Sequence, residues 1–347
     1  MKDGTKDSSL ETLKAIDPAA GNAARDDWRA TGDDREQLLR KVLCARRPMP
    51  PPVSRGLHRW RWPLAGLAVA TSMAVAVSAY TLFGPHAQPA QAVTPPALTY
   101  RADGETAKEV LGRLAAAARK DTSSVPAGSN LYFKRESWAL WTQVDGLQAR
   151  SAVVPEERES WKKPDGSQKW KARTKRPQFQ NAQDEEVWAD SGSLGDDPEL
   201  TEGESGPAAK SGPHGRPAPE DVRGMGGWLL AHYEKYAGSG ELFDSVAEHH
   251  LSELWNGRQR AALLDLLTTR RDVKYRGSVI DRAGRTGQAF YVDSDYGGLP
   301  ARHTLIFDAY TGKLLAYEEE LTETAGALNV KIPSVIMYLC YLDARAE

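Results

Sequence analysis

Few residues of this chain have the types and spacing that chemistry requires. His249 and His250 are the one histidine pair, in a predicted helix that reads ELFDSVAEHHLSELW. Adjacent helical residues point about 100° apart and do not converge on one metal ion, so we predict a solvated helix surface here. Asp293 and Asp295 precede Tyr296-Gly297-Gly298. Because Asp and Gly favour reversals, we interpret these carboxylates as a turn rather than as a catalytic pair or a cation site.

Cysteine chemistry is limited in the same way. The chain has two cysteines, Cys44 and Cys340, and neither has a partner at metal-ligand spacing. Cys340 lies in the apolar run PSVIMYLCYLD, which favours a buried small hydrophobic side chain over a reactive thiol. The sequence therefore predicts no metal and no cofactor.

Known catalytic and nucleotide-binding patterns do not occur in the sequence: there is no G-x-S-x-G, H-E-x-x-H, phosphate loop or G-x-G-x-x-G. The net charge of −2 does not point to nucleic acid. Ten tryptophans are present, and we interpret them as core packing, with an aromatic-lined groove for an apolar or peptide ligand as the alternative. Those beyond residue 100 are Trp138, Trp141, Trp161, Trp170, Trp188, Trp228 and Trp255. No enzymatic activity is predicted.

The element that would position everything else is the uncharged run at residues 62–85, WPLAGLAVATSMAVAVSAYTLFGP. Its length is what a helix needs to cross a bilayer, and lipid leaves the backbone no other way to satisfy its hydrogen bonds. We predict a single membrane helix in contact with the lipid bilayer. Its anchoring residues are Arg59, Trp60, Arg61, Trp62, Leu64, Leu67, Val69, Val75, Val77, Tyr80, Leu82 and Phe83.

The charges beside this run set its predicted orientation. Arginines precede it (Arg46, Arg47, Arg55, Arg59 and Arg61), whereas HAQPAQAVTPPALTY after it has no Lys or Arg. Positive flanks stay inside, so residues 1–61 are expected in the cytoplasm and the C-terminal part outside it, with the two cysteines on opposite sides. A buried core helix and a cleaved signal peptide, for which Ala90-Gln91-Ala92 resembles a cleavage site, are the alternatives. About 60 residues before the apolar run argue against the signal peptide.

Residues 1–61 contain a second candidate site. In GDDREQLLRKVLCA an apolar stripe forms on a helix too short to be stable alone, so it must dock on another surface. That surface is the other short helix, the membrane or a partner protein. The candidate partner-binding residues are Leu38, Leu39, Val42 and Leu43.

Beyond the membrane run we predict a Pro/Ala linker at 86–101 and an α+β domain at 102–347. A helix near 105–120 is expected with Asp103 as its cap, then β signals around the turn sequence KPDGS, then two helices separated by Asn256-Gly257, taken as a C-cap. A meander of five strands follows, with turns at Asp281–Gly284 and Asp308–Gly312. The last strand, apolar on both faces, is expected in the centre of a sheet of about eight antiparallel strands.

The acidic segment 181–224 has hardly an apolar side chain, and its Gly, Pro, Ser and acidic content is typical of disorder. We predict a disordered surface insertion that the fold can lose.

Several motifs together resemble a family of actinobacterial single-pass membrane proteins of unassigned function. They are ETAKEVLGRLAAAAR, PAGSNLYFKRES, WKKPDG, VIDRAGRTGQAFYV and LIFDAYTGKLLAYEEE, in order over most of residues 100–345. The resemblance implies a short cytoplasmic helical region, one membrane helix and an exported α+β domain. Because such proteins are often encoded beside extracytoplasmic-function sigma factors, it also implies a regulatory role.

Two hypotheses of function follow. The first is a non-enzymatic signalling or regulatory protein, anti-sigma-like, whose exported sensor domain is coupled to a cytoplasmic partner such as a sigma factor. The second is a lipid- or lipoprotein-binding envelope module, because the predicted sheet loosely resembles the half-barrel of lipoprotein carriers.

Overall fold

The computed structural model describes residues 94–145, 148–179, 185–186, 199–207, 217–231, 233, 238–326, 328 and 330–347. Their fold is α+β, with one antiparallel sheet of ten strands and four helices. The helices are α1 Ala107–Arg119, α2 Val222–Leu229, α3 Ser239–His249 and α4 Gly257–Thr268. The strands are β1 Tyr100–Arg101, β2 Leu131–Asp145, β3 Gln148–Lys162, β4 Gln168–Thr174, β5 Glu199–Ser205, β6 Lys274–Ile280, β7 Thr286–Ser294, β8 Ala301–Asp308, β9 Leu314–Leu321 and β10 Ser334–Ala346.

The sheet order is β1-β6-β7-β8-β9-β10-β2-β3-β4-β5. β10 lies between β9 and β2, so the prediction that the last strand is central is confirmed. The strand count is corrected from about eight to ten, because β1 and β5 were not predicted. β1 is two residues long, too short for an alternating pattern to show.

The predicted meander of five strands is confirmed from β6 to β10, and tight turns explain why β6 pairs with β7 and β8 with β9. Gly284 and Gly312 both have positive φ, of 79° and 64°. Asp308 Oδ1 accepts hydrogen bonds from the backbone N–H groups of Tyr310 and Thr311, which fixes the second turn.

The hairpin around KPDGS is also confirmed, with β3 and β4 on its two sides. On β4, Lys169 and Lys171 are exposed while Ala172 and Thr174 are buried, so one face is wet and the other packs.

The helices lie over one face of the sheet, where Phe290, Leu305, Phe307, Tyr317 and Leu339 contribute to the main core. The cap of α1 is Thr106 rather than the predicted Asp103: Thr106 and Glu109 form a capping box, whereas Asp103 accepts from the hydroxyl of Tyr275. Asn256 is likewise the N-cap of α4, not a C-cap, since its side chain accepts from the N–H of Gln259. Asn is common at both ends of helices, so the sequence alone does not decide whether Asn256 ends α3 or begins α4.

The predicted disordered insertion is wrong over part of 181–224. Residues 199–205 form β5, paired along its whole length with β4. The strand needs few apolar side chains because backbone hydrogen bonds and cross-strand pairs hold it: Lys169 Nζ lies 2.6 Å from Glu204, and Lys171 Nζ lies 3.0 Å from Glu202. Pro219 and Asp221 lead into α2, which begins inside the same predicted segment. The rest of the insertion, except residues 185–186, 206–207 and 217–220, lies outside the described residues.

The predicted linker 86–101 is also corrected. Residues 94–101, which we call the strap, belong to the domain: Tyr100 and Arg101 pair with β6, and Leu98 joins a small core with Val279, Ile306 and Tyr338. Each of these last side chains is on the sheet face away from the helices, which we call the second face. The strap therefore covers part of the second face.

Candidate functional site

A cluster of buried charges lies on the second face, beside the strap. Alternate residues of a strand share a face, so β9 places both Glu318 and Glu320 there. These carboxylate residues are 1% and 5% exposed. Isolated carboxylates at this burial would be very unfavourable, and each is paired with an arginine.

Arg282 joins the strap to Glu318. Its Nη2 donates to Glu318 Oε2 and to the carbonyl of Pro96, both at 2.9 Å. The guanidinium carbon also lies 5.0 Å from the ring centroids of both Trp138 and Tyr338, within range of cation–π attraction. One side chain thus contacts the strap, β9, β10 and β2.

Arg276 makes the second connection. Its Nη2 lies 3.3 Å from Glu320 Oε2, and its guanidinium carbon lies 3.9 Å from the ring centroid of Tyr100 in the strap. Burial raises the pKa of the Tyr100 hydroxyl, with Glu318 adding to the effect.

Burial also raises the pKa of Glu318 above its ordinary value, although Arg282 opposes the shift. Desolvation therefore outweighs the ion pair at this carboxylate. Burial of the ionised Glu318 carboxylate is therefore unfavourable for the closed packing of this face, even with Arg282 beside it.

The cluster is incompletely satisfied. Four buried atoms on this face have no hydrogen-bond partner among the described residues: Tyr100 Oη, Arg276 Nη1, Arg282 Nε and Thr304 Oγ1. Thr304 pairs across the strands with Glu318, so the four belong to one neighbourhood. Each buried polar atom without a partner costs about 1–3 kcal/mol. These unsatisfied atoms therefore offset part of the stabilisation that the ion pairs give.

A second, fully bonded carboxylate lies nearby at the β6–β7 turn. Asp281 Oδ2 accepts from Arg285 Nε at 2.8 Å, and Arg285 Nη1 donates to the carbonyl of Tyr341 at 2.6 Å. Cys340 is 1% exposed and contacts the Tyr338 hydroxyl, so its prediction as a buried small side chain is confirmed. Burial raises the pKa of its thiol, which disfavours the reactive thiolate.

The predicted solvated surface at the histidine pair is wrong. His249 is 5% exposed, with its ring centroid 3.9 Å from that of Trp228, and the His250 and Trp255 centroids are 4.3 Å apart. Burial lowers the pKa of His250 to about 4, so the imidazole is neutral at pH 7. The tryptophans bury this end of α3, which no pattern in the helix itself could indicate.

The turn predicted after β7 is confirmed. Asp295 closes it through its backbone carbonyl, which accepts from Gly298 N–H at 2.8 Å. Asp293 lies on β7 itself, and its Oδ1 accepts from Arg302 Nε at 2.8 Å. Among the described residues, no three His, Cys, Asp or Glu side chains converge to hold a metal ion.

The described tryptophans lie in two kinds of surroundings. Trp228 and Trp255 are in the main core, as predicted. Trp161 and Trp170 line a shallow cleft of about 420 Å³ on the β3–β5 hairpins, with Lys169, Lys171, Glu202 and Glu204. The side chains of Trp141 and Trp188 are outside the described residues.

The predicted membrane-anchoring residues and Leu38, Leu39, Val42 and Leu43 all lie outside the described residues, so those predictions stand untested. None of the helices in the described part of the chain combines the length and apolar content that crossing a membrane requires.

No sequence reasoning identified the Arg282–Glu318 cluster. One signal existed: in LLAYEEEL, Glu318 and Glu320 alternate within a strand whose other residues are almost all buried. Alternating charges ordinarily indicate a solvated face, and it is tertiary contacts, with Arg276, Arg282 and the strap, that cover this one.

Comparison with protein-family models found no match for the chain, and comparison with curated proteins found no similar sequence.

Proposed function

We propose that this chain is a non-enzymatic, membrane-anchored signalling or regulatory protein, with an exported sensor domain and a cytoplasmic partner-binding segment. The observation that supports it most is the strap, which only eight residues, 86–93, separate from the end of the predicted membrane segment 62–85. The strap is paired with β6 and hydrogen-bonded to Arg282. A rearrangement of the second face would therefore act directly on the chain next to the membrane.

The cytoplasmic end of the proposal rests on the apolar stripe Leu38, Leu39, Val42 and Leu43. An amphipathic helix of this length is stable only when its apolar face is covered, and a groove on a partner protein is one way to cover it. A sigma factor is the partner that the family resemblance favours. The segment lacks the His-x-x-x-Cys-x-x-Cys pattern of zinc-type anti-sigma domains, so zinc is not part of the proposal.

Co-purification from membranes tests this function. The full chain should retain a cytoplasmic protein, and Leu39→Asp should abolish retention because it places a charge in the apolar stripe. Gln37→Asp is the matched control, since it adds the same charge to the same helix outside the stripe. If the wild-type chain retains no cytoplasmic protein, or if both variants retain it equally, the proposal fails.

The second candidate is a lipid- or lipoprotein-binding envelope module. A single antiparallel sheet with helices over one face supports comparison with the half-barrel of lipoprotein carriers, and the Trp161–Trp170 cleft supplies aromatic surface beside lysines. Native mass spectrometry of the chain released from membranes would reveal a lipid retained at fixed stoichiometry. A lipid-free mass contradicts this candidate. So does a lipid that is lost on Trp255→Ala in the main core but kept when Trp161 or Trp170 of the cleft is replaced by Ala.

A further inference from the structure

We infer that the strap is a latch: residues 94–101 detach from the second face as one unit while the rest of the sheet stays folded, and the Arg282–Glu318 pair holds them closed. The inference deepens the proposed function by naming the moving part of the sensor. The test measures exchange at the strap and the sheet of the full chain and needs no cytoplasmic partner, so its failure is separable from the absence of such a partner.

The strap is attached by few contacts: the half-buried side chains of Leu98 and Tyr100 pack against the small core of the second face, and one hydrogen bond joins Pro96 to Arg282. Only Tyr100 and Arg101 pair with β6, and Pro95 and Pro96 have no N–H to donate. Thr94 adds one contact, its hydroxyl accepting from that of Ser334 at 2.9 Å. Segments with few buried apolar contacts and few backbone hydrogen bonds open locally well before the fold unfolds.

The surface beneath the strap favours opening. Closure keeps Glu318, Arg276 and Arg282 away from water and leaves the four buried atoms named above without partners. Water entering on opening would satisfy those atoms and solvate the charges. Solvation of these groups therefore lowers the free energy that opening requires.

Arg282 opposes this tendency. Its Nη2 bonds the strap backbone at Pro96 and the β9 carboxylate at Glu318 simultaneously. Removing its charge separates the strap from β9 while leaving the main core, on the opposite face, intact.

Protons couple to the latch in a defined direction. Glu318 has its raised pKa only when buried, so the closed state binds a proton more tightly than the open state, and rising pH favours opening. Charged or titratable groups of several neighbouring elements surround Glu318. These groups are Arg282 from the β6–β7 turn, Arg276 from β6, Arg302 from β8, Glu320 from β9, Tyr338 and Cys340 from β10, and Tyr100 from the strap.

Hydrogen exchange of the full chain in detergent micelles tests the latch. Arg282→Met keeps the unbranched stem and removes the charge. It should accelerate amide exchange at Tyr100 and Arg101, the strap residues paired with β6, about ten-fold, while the amides of β9 and β10 change little. Arg302→Met is the matched control, because Arg302 is on the same face but pairs with Asp293 rather than with the strap. It should leave the strap unchanged.

A disulfide cross-link provides a second test of the latch, which applies even if Arg282→Met does not fold. Thr94→Cys with Ser334→Cys should form a disulfide, since the two hydroxyls are in contact, and oxidation should slow strap exchange in the wild-type background. Equal acceleration of the strap and β9 in Arg282→Met, or strap exchange that oxidation does not slow, overturns the latch.

Discussion

Arg260 is a charged side chain inside the helix layer, and acceptors from three parts of the chain compensate its charge. Its side chain is 6% exposed. Nη2 donates to Asp121 Oδ2 at 2.6 Å, Nη1 to the carbonyl of Trp255 at 2.8 Å, and Nε to that of Thr311 at 3.3 Å. Hydrogen bonds from Ser123 and from Arg260 hold the pKa of Asp121 well below its usual range. Asp121 thus stabilises the fold as a carboxylate.

Asp121→Asn should lower the free energy of unfolding at pH 7 by about 2 kcal/mol, because a buried arginine loses its counter-charge but keeps two carbonyl acceptors. A carboxyl group whose pKa is lowered by folding stabilises the protein fully at a pH above its ordinary pKa of 3.8. This contribution is lost as the pH falls from there through the pKa of the folded state. The difference between variant and wild type should therefore shrink below pH 4. Urea unfolding followed by tryptophan fluorescence measures both effects. Asp165→Asn, in an exposed turn, is the control and should matter much less; an equal loss would contradict the role of Arg260.

Two turn glycines separate backbone strain from packing. Gly284 and Gly312 both have positive φ and both end an Asp-initiated turn. A Cβ on Gly284 would meet nothing within 4 Å, whereas one on Gly312 would lie 2.9 Å from Leu264 Cδ1 and 3.2 Å from the carbonyl of Leu114.

Gly284→Ala should therefore cost about 1–2 kcal/mol from strain alone. Gly312→Ala should cost at least about 1 kcal/mol more, since it also forces the β8–β9 turn away from α1 and α4. Thermal unfolding of the two variants gives the comparison. Equal midpoints would mean that this turn does not pack against the helices.

Among elements, α1 and α4 approach closely at Gly257, the first residue of α4. A Cβ there would lie 2.3 Å from the carbonyl oxygens of both Ala118 and Asp121. Gly112, in the exposed part of α1, has nothing within 4 Å of its Cβ position. A methyl group therefore fits at Gly112 and does not fit at Gly257.

Gly112→Ala should raise the free energy of unfolding by about 0.5–1 kcal/mol, because alanine loses less backbone entropy in a helix than glycine. Gly257→Ala should lower it by about 1–3 kcal/mol, since the helices must separate to admit the methyl group. Opposite signs in chemical denaturation are the expected result. A gain in stability for Gly257→Ala would show that α1 and α4 are further apart than described.

The elements that sequence reasoning found are those with a strong local pattern. α1, α4 and the strands from β6 to β10 combine apolar periodicity with Asp and Gly at their turns. α2 was missed because VRGMGGWL contains three glycines, and burial of Met225, Trp228 and Leu229 overrides that low propensity. β5 was missed because its stability comes from pairing with β4, which no property of ELTEGES reveals.

At the scale of the whole molecule, the cluster of Arg282, Glu318 and Tyr100 was not predictable. It unites residues that are up to 238 positions apart (Tyr100 to Tyr338), and it depends on a strap that composition assigns to a linker. Local patterns give strands and turns, but which charged face becomes buried is decided by tertiary contacts. The proposed membrane anchor and partner segment, by contrast, come from sequence alone and require a test of topology.

Cysteine labelling in intact cells provides that test. If residues 1–61 are cytoplasmic, Cys44 should be protected from a membrane-impermeant thiol reagent and should react once the cells are broken. A cysteine in place of Ala127, exposed in the turn before β2, should react in both cases. Cys340 is 1% exposed, so it should add no background while the domain is folded. Labelling of Cys44 in unbroken cells would reverse the orientation, and with it the proposal that the strap connects an outside sensor to an inside partner.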